Sequence, residues 1–495
     1  MAGSELTVAA GRRPWLLAVL FIETIGLQLA LLATGPANVG LAVLALATGT
    51  AIVIAGLGNP TIAVALLLIA AFFRLALPAD SLPADPWVLA FGGVLGAGAI
   101  AIARRVHHLP QLGGVEAAMV LYLAWNIGSA LAPHSLPASL PTTGEEFAVW
   151  RFIITGTLLP FVLYVVGRFV FDRPPVVRRL LWIVLWLAGY SVAVTMLQFH
   201  GPAALVWPRY IVSAPNWEGR AVGVFNQPVV NGLILVVGFV IALYVAAQRD
   251  EPQWRRACAA VLAVTSVYAI YLTHTRAIWL AFAILLVAGS VWARGFRTGF
   301  VALLVAMVLA VGMNWSTFTS TDRGAGGVGS TNEVHDRLNM AATAIWAIQE
   351  KPVAGWGIGR FTVVNTYHHK QWSPEIQWER GYGFAAHHNE LGIAAELGLA
   401  GVALWLAVLA LVLRRLIRAA RTLPTDGICG RGLAIVALLA FGCWVLTGST
   451  VDMRFFEFPN ALVWLLAGTV VGAAERAGPL PGRGNDRRRH QVVHK

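Results

Sequence analysis

Charged residues are scarce in this chain. Asp, Glu, Lys and Arg make up only 12% of its 495 residues, whereas 58% are hydrophobic. A soluble globular domain carries about 25% charged residues. The shortage of charge therefore argues against a soluble fold and directs attention to the long apolar runs.

Cysteine is also nearly absent. The three cysteines, Cys258, Cys429 and Cys443, lie in or beside apolar runs and show no metal-ligand spacing. This pattern predicts neither a disulfide framework nor a zinc site. The chain also lacks a P-loop, a serine elbow and a strand-borne GxGxxG fingerprint. The sequence therefore implies no cofactor.

Acidic residues are fewer than basic ones, 24 against 36, which gives a net charge of +12. This excess does not indicate nucleic-acid binding. Most Lys and Arg residues lie in short loops and in the C-terminal tail, as the positive-inside rule expects. The expected environment of the basic residues is the membrane surface, and no nucleic-acid partner is predicted.

Apolar runs recur from end to end and predict an all-α, polytopic membrane helix bundle of about 12–14 transmembrane helices, since one span needs about 20 apolar residues. The runs do not alternate, which favours helices over a barrel. The first run is too long for a signal-peptide core and lacks a clear cleavage site. Fourteen spans are predicted at 14–33, 37–56, 60–77, 86–103, 114–132, 149–171, 180–199, 228–247, 256–273, 277–293, 298–315, 390–413, 432–450 and 457–474.

Loop charges agree with this topology. With residues 1–13 in the cytoplasm, the arginine-rich loops fall inside, and the acidic segments at 80–85 and 142–146 fall outside. The predicted bundle occupies residues 14–475. The tail, 476–495, is basic and is expected to be a disordered cytoplasmic segment that anchors the topology.

The largest predicted outer loop runs from 316 to 386. Its Gly/Ser/Thr-rich first part, STDRGAGGVGSTNE, is expected to be mobile. Its middle, EVHDRLNMAATAIWAIQEKP, has helical spacing and predicts an amphipathic helix over the membrane face. A glycine-rich turn, GWGIGRF, follows. The expected apolar face of the helix consists of Leu338, Ala341, Ala342, Ile345 and Ile348.

Three of the arginines predicted on the outer side, against the positive-inside bias, are candidate ligands of an anion. They are Arg220, Arg276 and Arg337. Each has an ordinary alternative: a loop arginine, an interfacial arginine and a solvated helix residue, respectively. Guanidinium groups also bind phosphate oxygens through a planar fork of donors. Together the three arginines suggest an anionic ligand on the outer side.

The segment GYGFAAHHNELGIAAELGLAG, 381–401, places ionisable groups where a polar loop enters an apolar run. His387 and His388 could be structural, could ligate a metal, or could serve as a general base, because imidazole titrates near neutral pH. Glu396 could pair with an arginine or form a helix–helix hydrogen bond. Asp452 and Arg454 are interpreted as a local pair, with gating or substrate contact as the alternative.

Four segments in order resemble the O-antigen ligase and polymerase superfamily of bacterial membrane glycosyltransferases. They are RAVGVFNQP at 220–228, THTRAIWLA at 273–281, DRLNMAATAIWAIQEKPVAGWGIGRF at 336–361 and HHNELGIAAELGLAG at 387–401. The resemblance covers roughly residues 200–410. The first six spans resemble the family only in hydropathy.

The resemblance implies a polyprenyl-diphosphate-linked oligosaccharide donor, bound on the extracytoplasmic face of the bacterial cytoplasmic membrane. Arg220 and Arg276 would hold the diphosphate, with Arg337 as a further candidate. The histidine would assist attack of an acceptor hydroxyl on the anomeric carbon, with Asn389 and Glu396 in support. Inversion without a metal is implied. The acceptor could be a lipid, a glycan or a protein.

The family pattern does not decide between the two histidines. Spacing from Gly398 and Gly401 selects His387, whereas the dipeptide His-Asn selects His388. We favour His387, because helix spacing determines the direction of a side chain.

Two other classes of function remain. A transporter or flippase of a lipid-linked glycan predicts internal repeats and broken helices at mid-membrane, and no clear repeat is visible. A non-catalytic scaffold of an envelope assembly complex predicts that the outer arginines are dispensable.

Overall fold

The structure is a computed structural model that describes residues 59–76, 85–107, 109–141, 143–213, 217–378 and 383–478. The predicted spans 14–33 and 37–56 lie outside these residues, as do residues 1–13 and the tail beyond 478. The described part is helical, and its extended pairing is limited to one isolated bridge, between Ser139 and Glu146.

The described residues among 1–109, together with 224–226, form one compact unit. Its described helices are α1, Pro60–Phe72, and α2, Pro86–Ala103, which pack against each other. Helix α1 begins after Asn59, whose side chain accepts a hydrogen bond from the Thr61 N–H at 2.9 Å. Asn at the cap and Pro at the first helical position are both favoured at helix starts. The helix is about 20 Å long, shorter than the predicted span 60–77.

The described residues among 110–223 and 227–478 form a second unit that contains the remaining described helices. In chain order they are α3 Gly114–Leu131, α4 Val149–Val170, α5 Pro174–His200, α6 Pro228–Ala246, α7 Gln253–Leu272, α8 Arg276–Trp292, α9 Arg297–Met313, α10 Trp315–Thr319, α11 Asn332–Glu350, α12 Phe361–Tyr367, α13 Asn389–Thr422, α14 Arg431–Gly448 and α15 Glu457–Ala477.

Nine of the described helices are long and apolar enough to cross a membrane, and three shorter ones, α1, α8 and α9, are also apolar. These twelve match the third to the fourteenth predicted spans. The prediction of an all-α, polytopic membrane protein is therefore confirmed.

Helices α6 and α15 form the interior of the second unit. Nearly all their side chains are buried, including Trp464 and Phe239. Helix α9, in contrast, buries only Phe300, although it is equally apolar. A helix that is apolar all round and exposed all round fits a hydrocarbon surrounding.

An ion cluster around the buried Arg168 joins four helices at the end of the bundle where α4 and α15 terminate. Arg168 of α4 donates from Nη2 to Oε1 of Glu475 at 2.6 Å, and its Nη1 bonds to Glu116 of α3. Arg415 of α13 donates to the same oxygen of Glu475 at 2.9 Å. Buried charges occur in proteins where they are paired in this way.

Helix α11 confirms the predicted amphipathic helix, but its buried face was wrongly predicted. Ile345, assigned to the apolar face, is exposed. The oxygen of Asn339 accepts from the Trp372 N–H at 2.7 Å, and the hydroxyl of Thr343 accepts from the Lys370 N–H at 2.9 Å. Hydrogen bonds to the loop after α11 therefore bury polar side chains. The spacing of the apolar residues had not placed these side chains on the buried face. The buried residues are Asp336, Asn339, Met340, Thr343, Ala344 and Ala347.

Helices α4 and α15 approach so closely that glycine is required at their contact. A Cβ at Gly468 would collide with the carbonyl oxygen of Tyr164, and one at Gly472 would collide with that of Arg168. The two glycines are four residues apart, the spacing that lets membrane helices meet backbone to backbone.

We expect Gly468→Ala to destabilise the bundle by about 1–3 kcal/mol, the usual cost of forcing an extra methyl group into a packed interior. Thermal unfolding of the detergent-solubilised protein measures the effect. Gly442→Ala, in α14, is the matched control, because a Cβ there meets nothing within 4 Å. Equal melting temperatures for the two variants would contradict the close contact.

Candidate functional site

Arg220 lies in the loop before α6 and points towards the start of α8. Its Nη2 donates to the hydroxyl of Thr275 at 2.9 Å, and its Nη1 donates to Oε1 of Glu333 at 3.3 Å. The guanidinium also lies over the ring of Trp217, 5.0 Å from its centroid. These contacts fix the direction of the guanidinium fork.

Arg276, the first residue of α8, meets the same carboxylate from the other side. Its Nη2 lies 3.7 Å from Oε2 of Glu333, and its Nη1 donates to the carbonyl of Val328 at 2.8 Å and to that of Ser330. Arg323, from the glycine-rich segment, donates to Oε1 of Glu333 at 2.5 Å. Three arginines from three separate segments therefore converge on one carboxylate.

The charges of this arginine cluster act on one another. Burial lowers the pKa of Arg220 to about 10; Glu333 opposes the shift, whereas the charges of Arg323, Arg337 and Arg276 add to it. Burial acts to raise the pKa of Glu333, but the Arg323 hydrogen bond and the neighbouring guanidiniums outweigh it and hold that pKa below its usual value. Both shifts leave Arg220 and Glu333 charged at neutral pH.

The two histidines have different places in the chain. His388 is the N-cap of α13, and its Nδ1 accepts a hydrogen bond from the Leu391 N–H at 3.4 Å. The same Nδ1 lies 3.4 Å from Oε2 of Glu390, in the first turn of the helix. His387 precedes the cap with φ 49°, the left-handed region that few non-glycine residues adopt. Asn389, the first residue of the helix, is buried.

Helix α13 is broken at Gly398, which has φ 69°. The carbonyls of Ala395 and Glu396 accept from the N–H groups of Trp356 and Gly357, at 3.0 and 2.8 Å. The Leu399 N–H donates to the carbonyl of Pro352 at 2.7 Å. The predicted glycine-rich turn thus occupies the break and satisfies backbone groups that hydrocarbon could not.

Glu396 is buried below the histidines and pairs with Arg454, as one of the two sequence interpretations expected. Oε2 accepts from Nη1 of Arg454 at 2.7 Å, and Oε1 accepts from the Phe361 N–H at 3.1 Å. Arg454 also donates from Nη2 to Asp452 at 2.6 Å. The Asp452–Arg454 pair is therefore present, and it forms one buried cluster with Glu396.

The arginine cluster and the histidines lie at the same end of the second unit. Consecutive spans run in opposite directions, so the starts of α6, α8 and α13 share one end. Helix α11 links the two groups: Glu333 is in its first turn, and Ala344, about 16 Å along the helix, packs in one apolar cluster with Ala386. Ala386 is the neighbour of His387 in the chain.

Arg323 and Glu333 were missed by the sequence analysis. Arg323 stands in a segment expected to be mobile, and Glu333 lies where that segment meets the predicted amphipathic helix; neither was assigned a role. One signal in the sequence could have found Arg323: like Arg220, Arg276 and Arg337, it is a cation on the predicted outer side of the membrane. Among the described residues, no group of three or more His, Cys, Asp and Glu side chains is placed to hold a metal ion.

Residues 259–406 match the family model described as O-antigen ligase. Over this range the chain is similar to the O-antigen ligase family. The predicted resemblance to the O-antigen ligase and polymerase superfamily is confirmed. No curated protein matches the chain.

The matched range contains most of the candidate site. Arg276, Arg337, the two histidines and Glu396 fall within residues 259–406. Arg220 and the Asp452–Arg454 pair lie outside the matched range but contact residues inside it. The family assignment supports membrane glycosyltransferase activity of the ligase type in general.

We expect Arg454→Met to destabilise the fold by about 3–5 kcal/mol, because it leaves two buried carboxylates without their cation. Thermal unfolding in detergent measures the loss. Arg151→Met is the control, since Arg151 is 41% exposed and lies 3.9 Å from Glu457. Equal melting temperatures for the Arg454 and Arg151 variants would show that the buried cluster does not stabilise the fold.

Proposed function

We propose that the protein transfers a glycan from a polyprenyl-diphosphate-linked donor to an acceptor hydroxyl on the extracytoplasmic side of the bacterial cytoplasmic membrane. The observation that carries this proposal is the convergence of Arg220, Arg276 and Arg323, with Arg337 nearby, at the bundle end that also holds His387.

The arginine cluster suits a diphosphate. Guanidinium forks bind phosphate oxygens in pairs, and the N-terminus of α8 adds the positive end of a helix dipole. Thr275, the N-cap of α8, makes no side-chain cap bond, since its hydroxyl bonds to Arg220 and to the Thr273 carbonyl. The cluster thus combines fixed charges with a helix start.

In the proposed reaction, His387 takes the proton of the acceptor hydroxyl as its oxygen attacks the anomeric carbon. The bond between that carbon and the diphosphate oxygen breaks, and its electron pair leaves with the polyprenyl diphosphate. Attack opposite the leaving group inverts the anomeric configuration. The guanidiniums stabilise the charge that develops on the leaving oxygen. The step therefore needs no pair of catalytic carboxylates.

His387 is preferred to His388 as the base because of the cap. The ring of His388 is engaged at the helix start, where its Nδ1 accepts from the Leu391 N–H at 3.4 Å and lies 3.4 Å from Oε2 of Glu390. His387 stands outside the helix. Asn389 and Glu396 support the histidine in different ways. Asn389 is the first residue of α13, and Glu396 holds this helix in the bundle through its ion pair with Arg454.

The acceptor decides between two versions of this function. A ligase passes the glycan to a lipid or protein, and a polymerase passes it to another lipid-linked repeat. Incubation of the purified protein with lipid-linked oligosaccharide and each candidate acceptor, with released polyprenyl diphosphate as the readout, tests the proposal and separates the two versions.

A transporter or flippase is the second candidate, and the break in α13 favours it, because broken helices form the substrate sites of many transporters. In those sites the freed carbonyls coordinate a ligand. Here the carbonyls of Ala395 and Glu396 accept backbone hydrogen bonds from 356–357, and that of Leu397 accepts from Trp125 at 3.0 Å. The break therefore anchors a loop, which argues for the enzyme.

We expect His387→Ala to lower the transfer rate by about 100- to 10,000-fold, the usual contribution of a general base. His388→Ala is the matched neighbour. His388→Ala should lower the stability by about 1 kcal/mol, because it removes the N-cap side chain of α13. It should keep partial activity. Membrane assays with lipid-linked donor compare the two variants, and the reverse order of activities would assign the base to His388.

We expect Arg276→Lys to lower kcat/KM by about 10- to 100-fold, because a lysine cannot reproduce the fork and each hydrogen bond to a charged group contributes about 1.5–3 kcal/mol. Arg294→Lys, just beyond the other end of α8, is the control, since Arg294 is exposed. A silent Arg276→Lys would favour a non-catalytic scaffold.

A further inference from the structure

The carboxylate of Glu333 lies where the guanidiniums of the arginine cluster converge. Its Oε1 is 3.3 Å from Arg220 and 2.5 Å from Arg323, and its Oε2 is 3.7 Å from Arg276. Both carboxylate oxygens are therefore engaged by arginines that come from different segments of the chain. No sequence motif assigns a role to this acid.

The position of Glu333 is the one that a phosphate group would need. A diphosphate bound by Arg220 and Arg276 would use the Nη donors that now face Glu333. Two anions in one cluster of donors repel each other strongly at contact distance. Binding of a diphosphate therefore requires the carboxylate to withdraw.

Glu333 is placed so that it can withdraw. Its side chain is 23% exposed, as is the side chain of Arg323 at 22%. Glu333 is in the first turn of α11, directly after the glycine-rich segment, so a rotamer change carries the carboxylate into solvent without disturbing the buried face of the helix. In the first turn a carboxylate is also favoured by the helix dipole.

We propose that Glu333 is an exchangeable counter-ion of the diphosphate site: it holds the guanidiniums of Arg220, Arg276 and Arg323 together in the empty site, yields them to the diphosphate, and reclaims them when the product leaves. The inference rests on the proposed function for the identity of the ligand. It adds Arg323 to the diphosphate-binding residues, because the N–H group of Arg323 that Glu333 releases faces the incoming anion.

The exchange has a kinetic consequence. Polyprenyl diphosphate, the product, carries the same anionic group as the donor, so tight binding of the donor also slows release of the product. A carboxylate that competes for the guanidiniums weakens both. Removal of the charge of Glu333 should therefore lower KM and kcat together, whereas loss of a merely structural residue raises KM.

The test is calorimetric titration of inorganic pyrophosphate into the full-length protein in detergent. Glu333→Gln should bind pyrophosphate about tenfold more tightly than the wild type, which is equivalent to about 1.4 kcal/mol. Glu350→Gln is the matched control: it removes the same charge from the exposed far end of α11 and should leave the affinity unchanged. Turnover of lipid-linked donor by Glu333→Gln should show the joint fall in KM and kcat.

Two outcomes separate this inference from the proposed function. If the wild type binds pyrophosphate, Arg276→Lys weakens it, and folded Glu333→Gln binds no more tightly, the counter-ion role is overturned and the diphosphate site stands. If the wild type does not bind, or Arg276→Lys binds equally well, the diphosphate site and the counter-ion role both fall.

Glu333→Asp covers the case in which Glu333→Gln does not fold. Its carboxylate is withdrawn by one methylene, so it competes less well for the guanidiniums and should give a smaller gain in affinity of the same sign. Unchanged or weaker pyrophosphate binding by a folded Glu333→Asp would then overturn the inference.

Discussion

The backbone at the break of α13 is the constraint on which the candidate site depends. Within hydrocarbon, every carbonyl and N–H group needs a partner from the protein, and at Gly398 those partners come from residues 352–357 of the large loop. The loop is thereby fixed to the helix that begins beside His387. Because α11 leads into the same loop, the arginine cluster at its start is fixed as well.

The ion clusters around Arg168 and Arg454 differ in exposure from the arginine cluster, and the difference matches their roles. Arg168 and Arg454 are almost fully buried among carboxylates from several helices, and such pairs hold helices in place. Glu333, Arg276 and Arg323 are partly exposed, and three arginines here meet one carboxylate. A cluster with surplus positive charge and access to solvent can accept an anionic ligand, whereas a buried cluster without such a surplus cannot.

Hydropathy and loop charge predicted the described spans well, because a membrane helix is defined by properties that are local in sequence. The candidate arginines 220, 276 and 337 were also found locally, as cations on the unexpected side. Glu333 was not, since its meaning depends on Arg220, more than a hundred residues away. The buried face of α11 was mispredicted because Asn339 and Thr343 are buried through hydrogen bonds to a loop. His388 as N-cap was equally unforeseen, as the adjacent asparagine is the usual capping residue.

Helix α11 sets both a length and an angle between two attachments. At one end Glu333 meets the arginines, and at the other Ala344 and Ala347 pack against Trp356 and Ala386. Each residue of an α-helix turns the chain by about 100°. A single insertion or deletion between the two attachments would therefore turn Glu333 away from the guanidiniums while leaving every side chain of the site unchanged. Among relatives of this chain, the number of residues in this interval should vary less than their identities.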